Sequence, residues 1–411
     1  MEEEDKKVEK SEEKKVDKKE EEKKEEAKKE TQEEEVDEFT RRIRANERRE
    51  YMEGLKLDAV PSEDVIDRCY GAVVGAFIGD AMGAKLEFKS GLYQEDVDSA
   101  MAMEGGGPFD TGPGQITDDS ELALCLAHGL AEGNGDLDIN KIVQHYFNWM
   151  KSPPFDIGNT TKCALIRSGQ GPAEVRRSAR KNNMGSQSNG SLMRITPLAI
   201  WARKLHKFAL TEAVAEEVSL THPDLNLQEL STSYCLAIQH LISGHERQAV
   251  YLKVKIWLQN RMLKDWTSFF WHIDHKCGLN TQINMGDCKI AFTYAFISLT
   301  KGYGFEKAME DIISRGGDTD TNAAIVGGLI GAAVGYKAIP DKFKKKLFAW
   351  RPELGGIERP DFLIPGKVLK SLIDKIIEIA PTEYVKIIGG KTEEEKAVDK
   401  AAYKSLYMNF F

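Results

Sequence analysis

The chain contains no apolar run of the roughly 18–20 residues that a membrane-spanning helix needs. The longest candidate, Ala323 to Gly335, is shorter and rich in glycine. A secretory signal is not expected either, because the N-terminus is acidic and charged. Cysteine is sparse and scattered: Cys69, Cys125, Cys163, Cys235, Cys277 and Cys288 include no Cys-x-x-Cys pair. That spacing argues against a disulfide frame and predicts reduced thiols in a cytoplasmic or nuclear protein. Positive charge is in deficit, with a formal net charge of −9 over 411 residues. An acidic balance argues against nucleic acid as the main partner. Period-two alternation of apolar and polar residues is also missing, which leaves little room for β-sheet.

Charge and helical periodicity are abundant instead. The first fifty residues hold 21 acidic and 16 basic side chains and almost nothing apolar before Phe39. Such a stretch buries too little surface to offset its conformational entropy. We therefore expect a disordered or transiently helical tail over 1–56, a globular body over 57–395 and a short C-terminal segment over 396–411. Helix-compatible spacing marks Val65 to Met82, Glu121 to Ala131, Ile139 to Met150, Leu192 to Ala209, Leu227 to Ile242, Arg247 to Leu258, Cys288 to Lys301 and Asp320 to Tyr336. The predicted fold is an all-α compact multi-helix bundle.

Two of these segments carry glycine at every fourth position: Gly71, Gly75, Gly79 and Gly83, then Gly327, Gly331 and Gly335. Residues four apart share one helix face. Each glycine inside a helix costs about 1 kcal/mol relative to alanine, so such stripes need an offsetting benefit. They are expected to be smooth faces at the centre of the bundle. They pack either against one another or against separate bulky neighbours.

Two acidic clusters far apart in the chain carry the chemistry: Thr117-Asp118-Asp119 and Asp318-Thr319-Asp320-Thr321. Adjacent carboxylates repel one another and raise each other's pKa unless a positive charge sits between them. Asp and Thr offer only oxygen, the ligand that hard divalent cations require. The pattern predicts a binuclear cation site closed by both segments, a type that usually serves hydrolysis or group transfer. The plainer alternative is that each cluster caps a helix N-terminus.

The flanks of these clusters make the sequence recognisable. Gly79-Asp80-Ala81-Met82-Gly83-Ala84-Lys85-Leu86-Glu87-Phe88 and Pro113-Gly114-Gln115-Ile116-Thr117-Asp118-Asp119-Ser120 resemble the ADP-ribosylglycohydrolase family. So do Asp156-Ile157-Gly158-Asn159-Thr160-Thr161, Ser188-Asn189-Gly190-Ser191-Leu192-Met193-Arg194, Thr221-His222-Pro223-Asp224 and Gly316-Gly317-Asp318-Thr319-Asp320-Thr321. The resemblance runs in order from about residue 65 to 340 and looks most like the branch of dinitrogenase reductase-activating glycohydrolase and ADP-ribosylarginine hydrolase. Ser120 is the one small departure, standing where the family usually has Thr, and it keeps the hydroxyl.

The resemblance implies that Thr117, Asp118, Asp119, Asp318, Asp320 and Thr321 hold two ions, Mg²⁺ or Mn²⁺. It implies catalytic roles for Glu87, Asp119 and Asp156, with Glu87 placing or activating water and Asp156 meeting a cationic leaving group. Gly158, Asn159, Thr160, Ser188, Asn189, Gly190, Ser191, Met193 and His222 would join Asp156 in binding the substrate. Ser188 to Ser191 are read as the opening of a helix from Leu192, where free N–H groups favour an anion. Asp80 is read as a helix anchor behind the ligands.

One further cluster, His272, Asp274, His275 and Cys277, has zinc-like ligand types but matches no common zinc spacing. It is read as structural packing. The expected activity is metal-dependent removal of ADP-ribose from a modified protein by hydrolysis of the N-glycosidic bond to arginine. The alternatives are a serine-linked ADP-ribose hydrolase and an inactive ADP-ribose-binding or crystallin-like paralogue. An ADP-ribosylated protein is the expected partner, with no role for nucleic acid or membrane.

Overall fold

A computed structural model describes residues 61–384 except 167, 170 and 262–266. The expected charged tail and C-terminal segment lie outside the described residues. Among those residues the protein is helical, and β structure is limited to isolated bridges such as Ser188 with Asp287. No described helix is long and apolar enough to cross a membrane.

The described residues open with α1 (Glu63–Gly83), capped by the Ser62 hydroxyl accepting from the Val65 amide. A 3₁₀ turn, Ala84–Leu86, follows, and then α2 (Gln94–Met101), α3 (Asp118–Gly133) and α4 (Ile139–Lys151). Next come α5 (Asn159–Ile166), α6 (Pro172–Asn183), α7 (Thr196–Trp201), α8 (Lys207–Val218) and α9 (Leu225–Ile242). The remainder is α10 (Arg247–Arg261), α11 (Phe269–His275), α12 (Cys288–Thr300), α13 (Phe305–Ile313), α14 (Thr319–Val334), α15 (Asp341–Ala349) and α16 (Pro365–Glu378).

One expected helix, Leu192 to Ala209, does not form as a unit. Asn189–Ser191 is a 3₁₀ turn, α7 begins only at Thr196, and a second 3₁₀ turn, Ala202–Lys204, separates it from α8. Pro197 explains the late start, since proline suits the first turn of a helix but donates no hydrogen bond within one. His206 then leaves the helical region (φ −63°, ψ 149°) and caps α8.

The two glycine stripes do face each other. A Cβ added at Gly71 would collide with the Gly331 carbonyl oxygen, at Gly75 with that of Gly327, at Gly79 with that of Ala323 and at Gly83 with that of Thr319. Partner numbers fall on one side as they rise on the other, so α1 and α14 run antiparallel with backbones in direct contact. Nearly all of α14 is buried, with α1, α9, α12 and α13 packed around it. This pairing brings the C-terminus of α1 to the N-terminus of α14, where the Thr319 hydroxyl donates to the Gly83 carbonyl at 2.6 Å. Glu87 and the second acidic cluster become neighbours as a result.

Candidate active site

Glu87 follows directly on the 3₁₀ turn that ends α1. The next residue, Phe88, is held at φ 60° and its amide donates to the Gly317 carbonyl at 3.0 Å. Gly317 has φ +86°, and a Cβ there would strike the Thr281 carbonyl, so only glycine suits this crossing. The loop carrying Glu87 is thereby tied to the residue before Asp318.

Asp80 has a larger part than an anchor within its own helix. Its carboxylate accepts from the Thr117 amide at 3.1 Å, from the Thr117 hydroxyl at 2.8 Å and from the Ser120 amide at 3.1 Å. It therefore caps α3 from a different helix, and Thr117 makes no side-chain cap of its own. With that task done by Asp80, the Asp118 and Asp119 carboxylates are released for other partners, against the capping-only alternative for this cluster.

Those partners are hydroxyls, a backbone amide and another acid. Asp119 Oδ2 lies 3.3 Å from both the Thr117 and Thr321 hydroxyls, joining the two sequence clusters at one atom. Its Oδ1 is buried with no hydrogen-bond partner, as is Glu87 Oε2. Glu87, Asp156 and Asp320 each bring a carboxylate oxygen within 4.8 Å of the others. Asp118 meets Asp156 and accepts from the Gly158 amide at 3.3 Å. Asp318 accepts from the Asn189 side-chain amide at 2.7 Å.

Burial and mutual repulsion dominate the electrostatics. Among the described residues none of Asp80, Glu87, Asp118, Asp119, Asp156, Asp318 and Asp320 is in a salt bridge. Burial, then the charges of Asp156 and Asp318, push the Glu87 carboxyl up to about 9. Burial raises Asp80 to about 6 despite its donors. Asp118, Asp119 and Asp320 are raised well above the usual range, first by burial and then by neighbouring carboxylates. Seven acids without a counter-charge, two of them with unpartnered buried oxygens, form a cradle that fits a divalent cation. The donor set is oxygen alone, which favours a hard ion over zinc.

The structure places the other expected residues around this cradle in different ways. Gly158 and Asn159 are exposed at the start of α5, and Asp156 is half-buried beside them. Thr160, Ser186, Ser188 and His222 form a hydrogen-bonded chain, with Ser188 Oγ 3.0 Å from the Thr160 hydroxyl and 2.8 Å from His222 Nε2. His222 is fully buried, and its Nδ1 bonds the Thr221 hydroxyl at 2.7 Å. Both ring nitrogens are thus held within the protein, and burial keeps the ring neutral by lowering its pKa well below the usual value. Gly190 packs on the His222 ring, Ser191 bonds Ser231, and Met193 is buried. The reading of Ser188 to Ser191 as a helix opening from Leu192 needs correction. The Asn189 amide is already given to the Gly286 carbonyl, and the helix begins at Thr196. The His272 group divides: His272 Nδ1 meets Cys277 Sγ at 3.3 Å, whereas Asp274 turns to Tyr251 and Lys255.

Two supporting ion pairs were not foreseen. Arg194, wholly buried, bonds Glu217 at 2.7 Å, the Gly190 carbonyl at 2.9 Å and the Thr221 hydroxyl at 2.8 Å. It fixes both the Ser188 to Ser191 turn and the residue before His222. Glu121, one turn beyond Asp118 on α3, is gripped by Arg359 through both carboxylate oxygens at 2.7 and 2.9 Å. Arg359 also donates to the Ser152 and Pro153 carbonyls, fastening the loop that leads to Asp156. The available signal is a lone charged residue within an apolar stretch, as Arg194 is between Leu192-Met193 and Ile195; Glu121 follows directly on Asp118-Asp119-Ser120 and carries no such mark.

A family model described as ADP-ribosylglycohydrolase matches residues 61–381. The chain belongs to the ADP-ribosylglycohydrolase family. ADP-ribosyl-[dinitrogen reductase] glycohydrolase of Rhodospirillum rubrum is 32% identical over 289 residues, covering 69% of this chain and 91% of that one. ADP-ribosylarginine hydrolase Tri1 of Serratia proteamaculans is 28% identical over 304 residues, covering 70% and 77%. Among solved structures, an ADP-ribosylglycohydrolase-related protein complex shares the fold at TM-score 0.58 and 24% identity, over 78% of this chain and all of the other. This ADP-ribosylglycohydrolase is a hydrolase of glycosyl bonds, and its acidic cradle lies where the two matched acidic motifs converge.

Proposed function

We propose that this ADP-ribosylglycohydrolase releases ADP-ribose from arginine side chains of modified proteins with the help of two divalent cations, Mg²⁺ or Mn²⁺. The observation that carries the reading is the mouth of the cradle. There the half-buried Asp156 stands beside Glu87 with no cationic side chain paired to either among the described residues. A guanidinium leaving group supplies the missing positive charge and hydrogen-bond donors, and charge-assisted pairs of this kind are strong. The arginine-directed name of one relative supports this linkage, and the dinitrogen reductase named for the other supports a modified protein as the substrate.

Thr117, Asp118, Asp119, Asp318, Asp320 and Thr321 would hold the ions, which would supply stabilisation of negative charge at the reacting centre. The remaining steps belong to side chains. Beside bound cations the Glu87 carboxyl would return to its ionised form, and its Oε2, buried and unpartnered, would hold the attacking water and take its proton. A bond forms between the water oxygen and the ribose C1 as the C1–N bond breaks through an oxocarbenium-like state. Asp156 orients the departing guanidine, which receives the proton and leaves.

Arginine- and serine-ADP-ribosylated peptides, each incubated with Mg²⁺, Mn²⁺ or EDTA, provide the test. Release from the arginine peptide alone, abolished by EDTA, is expected. Release confined to the serine peptide would transfer the assignment to the O-glycosidic bond, and EDTA-resistant turnover would remove the metal requirement.

A further inference from the structure

At the far end of α14 from the acidic cradle, the ends of α9, α12 and α14 meet the start of α10 around an open polar cleft of about 420 Å³. Arg68, from α1, and Arg247, the first residue of α10, both line it. With a rise of 1.5 Å per residue, thirteen residues of α14 separate Asp320 from the lining residue Ala333, a distance of about 20 Å. The cleft is therefore not an extension of the active site.

Each arginine has a local task that uses one nitrogen only. Arg68 Nη1 donates to the carbonyls of Ala332 at 3.3 Å and Ala333 at 2.8 Å, closing the end of α14. Arg247 Nη1 donates to the Tyr303 carbonyl at 2.7 Å. A guanidinium has five N–H donors, so an edge of each remains available. Among the described residues neither arginine is in a salt bridge. One carboxylate, Glu246, also lines the cleft, but it is exposed. Its pull on Arg247 is smaller than the push from Arg68: burial first and the Arg68 charge second lower the Arg247 pKa, and Glu246 only partly reverses this. Two half-buried like charges held at one cleft are unfavourable unless an anion joins them.

We propose that this cleft binds a phosphate group, free or carried by a small molecule, between Arg68 and Arg247. A phosphate carries nearly two negative charges near neutral pH and three strong acceptor oxygens. It therefore balances both guanidiniums, which already offset the carbonyls of Ala332, Ala333 and Tyr303, and still has an oxygen for the amides at the start of α10. A single carboxylate carries half that charge and one acceptor oxygen fewer.

Titration of the full-length protein with inorganic phosphate tests this, in EDTA so that no divalent ion recruits phosphate to the cradle. Sodium chloride at matched ionic strength is the control. Calorimetry and thermal shift should show binding beyond the control. Arg247→Gln should weaken it by about tenfold or more, the loss expected of one charge-assisted contact. Asp320→Asn, at the other end of α14, should leave it unchanged. Amide shifts of Gly244 and Gly302 on phosphate addition provide a readout that needs no substitution and survives any folding defect in the variants. No binding beyond chloride, binding unaltered in Arg247→Gln, or shifts confined to residues 117–120 and 318–321 would each overturn the proposal.

Discussion

The carbonyl of Ala323 occupies the space that a side chain at Gly79 would need. The same holds along the whole α1–α14 contact, so the glycines set both the depth of this packing and its register. Because the chains run antiparallel, that register delivers Glu87 to Asp320. Gly79→Ala forces backbone apart instead of bending a flexible side chain. Its cost should reach or exceed the upper range for overpacked cores, about 3 kcal/mol. Gly75→Leu, facing both the Gly327 carbonyl and the Phe305 ring, should give no soluble protein. Thermal unfolding and soluble yield measure both, and a Gly79→Ala protein that melts with the parent would refute the backbone-contact account.

Asp119→Asn separates function from stability. Its Oδ1 is buried without a partner, and the charges of Asp80, Asp118 and Asp318 all act against ionisation. Removing one charge from the cluster relieves repulsion when no cation is present, so the variant should melt higher than the parent in EDTA. Binding of Mn²⁺ by calorimetry should be lost, and turnover should fall by about a thousandfold, equivalent to several kcal/mol of charge stabilisation. A variant that melts lower than the parent in EDTA would show that hydrogen bonding at Asp119 outweighs repulsion.

Stability of the metal-free protein should depend on pH in a defined direction. Glu87 rises from 4.5 to about 9 on folding and Asp80 from 3.8 to about 6. Below these lower values the groups are protonated in both states and oppose folding least. Above them the unfolded chain releases protons that the folded chain retains, so stability falls as pH rises. The loss should run from about pH 4 to 6 for Asp80 and continue to about pH 9 for Glu87. Melting in EDTA should therefore drop steadily from pH 5.5 to 8.5, and added Mg²⁺ or Mn²⁺ should stabilise most at the alkaline end. A metal-free melting temperature that rises over this range would contradict the repulsive cluster.

Much of this arrangement is legible in the residues. The stripes Gly71 to Gly83 and Gly327 to Gly335 announce close backbone contact, and the paired acidic clusters announce a shared site. Their mutual facing was open, because spacing shows which residues share a helix face but not which face meets which. α13 and α16 carry readable amphipathic spacing: Phe305, Ala308, Met309, Ile312 and Ile313 are buried on one side of α13. Neither is among the expected helices, although α4 and α10, which are, are no more apolar overall. Asp80 capping α3 was illegible for a different reason, since a cap supplied by another helix leaves no local pattern. Within Leu192 to Ala209, Pro197 is the residue that marks the break, since it suits a first turn and not a helix interior.

Arg359 offers the sharpest separation between holding the site and performing the chemistry. It lies far from Asp156 in sequence, yet its guanidinium joins Glu121 on the acid-bearing α3 to the carbonyls of Ser152 and Pro153. Glu121 is buried beside it and is also bonded by Trp149 Nε1 at 2.7 Å. Arg359→Met leaves that carboxylate buried with its cation gone, which typically costs about 3–5 kcal/mol. Pairing it with Glu121→Gln removes the stranded charge and should recover much of the stability. Activity should not recover in parallel, because the Ser152–Pro153 carbonyls still lack their clasp and Asp156 is no longer held against Asp118. KM for an arginine-modified peptide should rise in the double variant while Mn²⁺ affinity stays near that of the parent. Full recovery of both stability and KM would mean that Glu121 and Arg359 serve only the core.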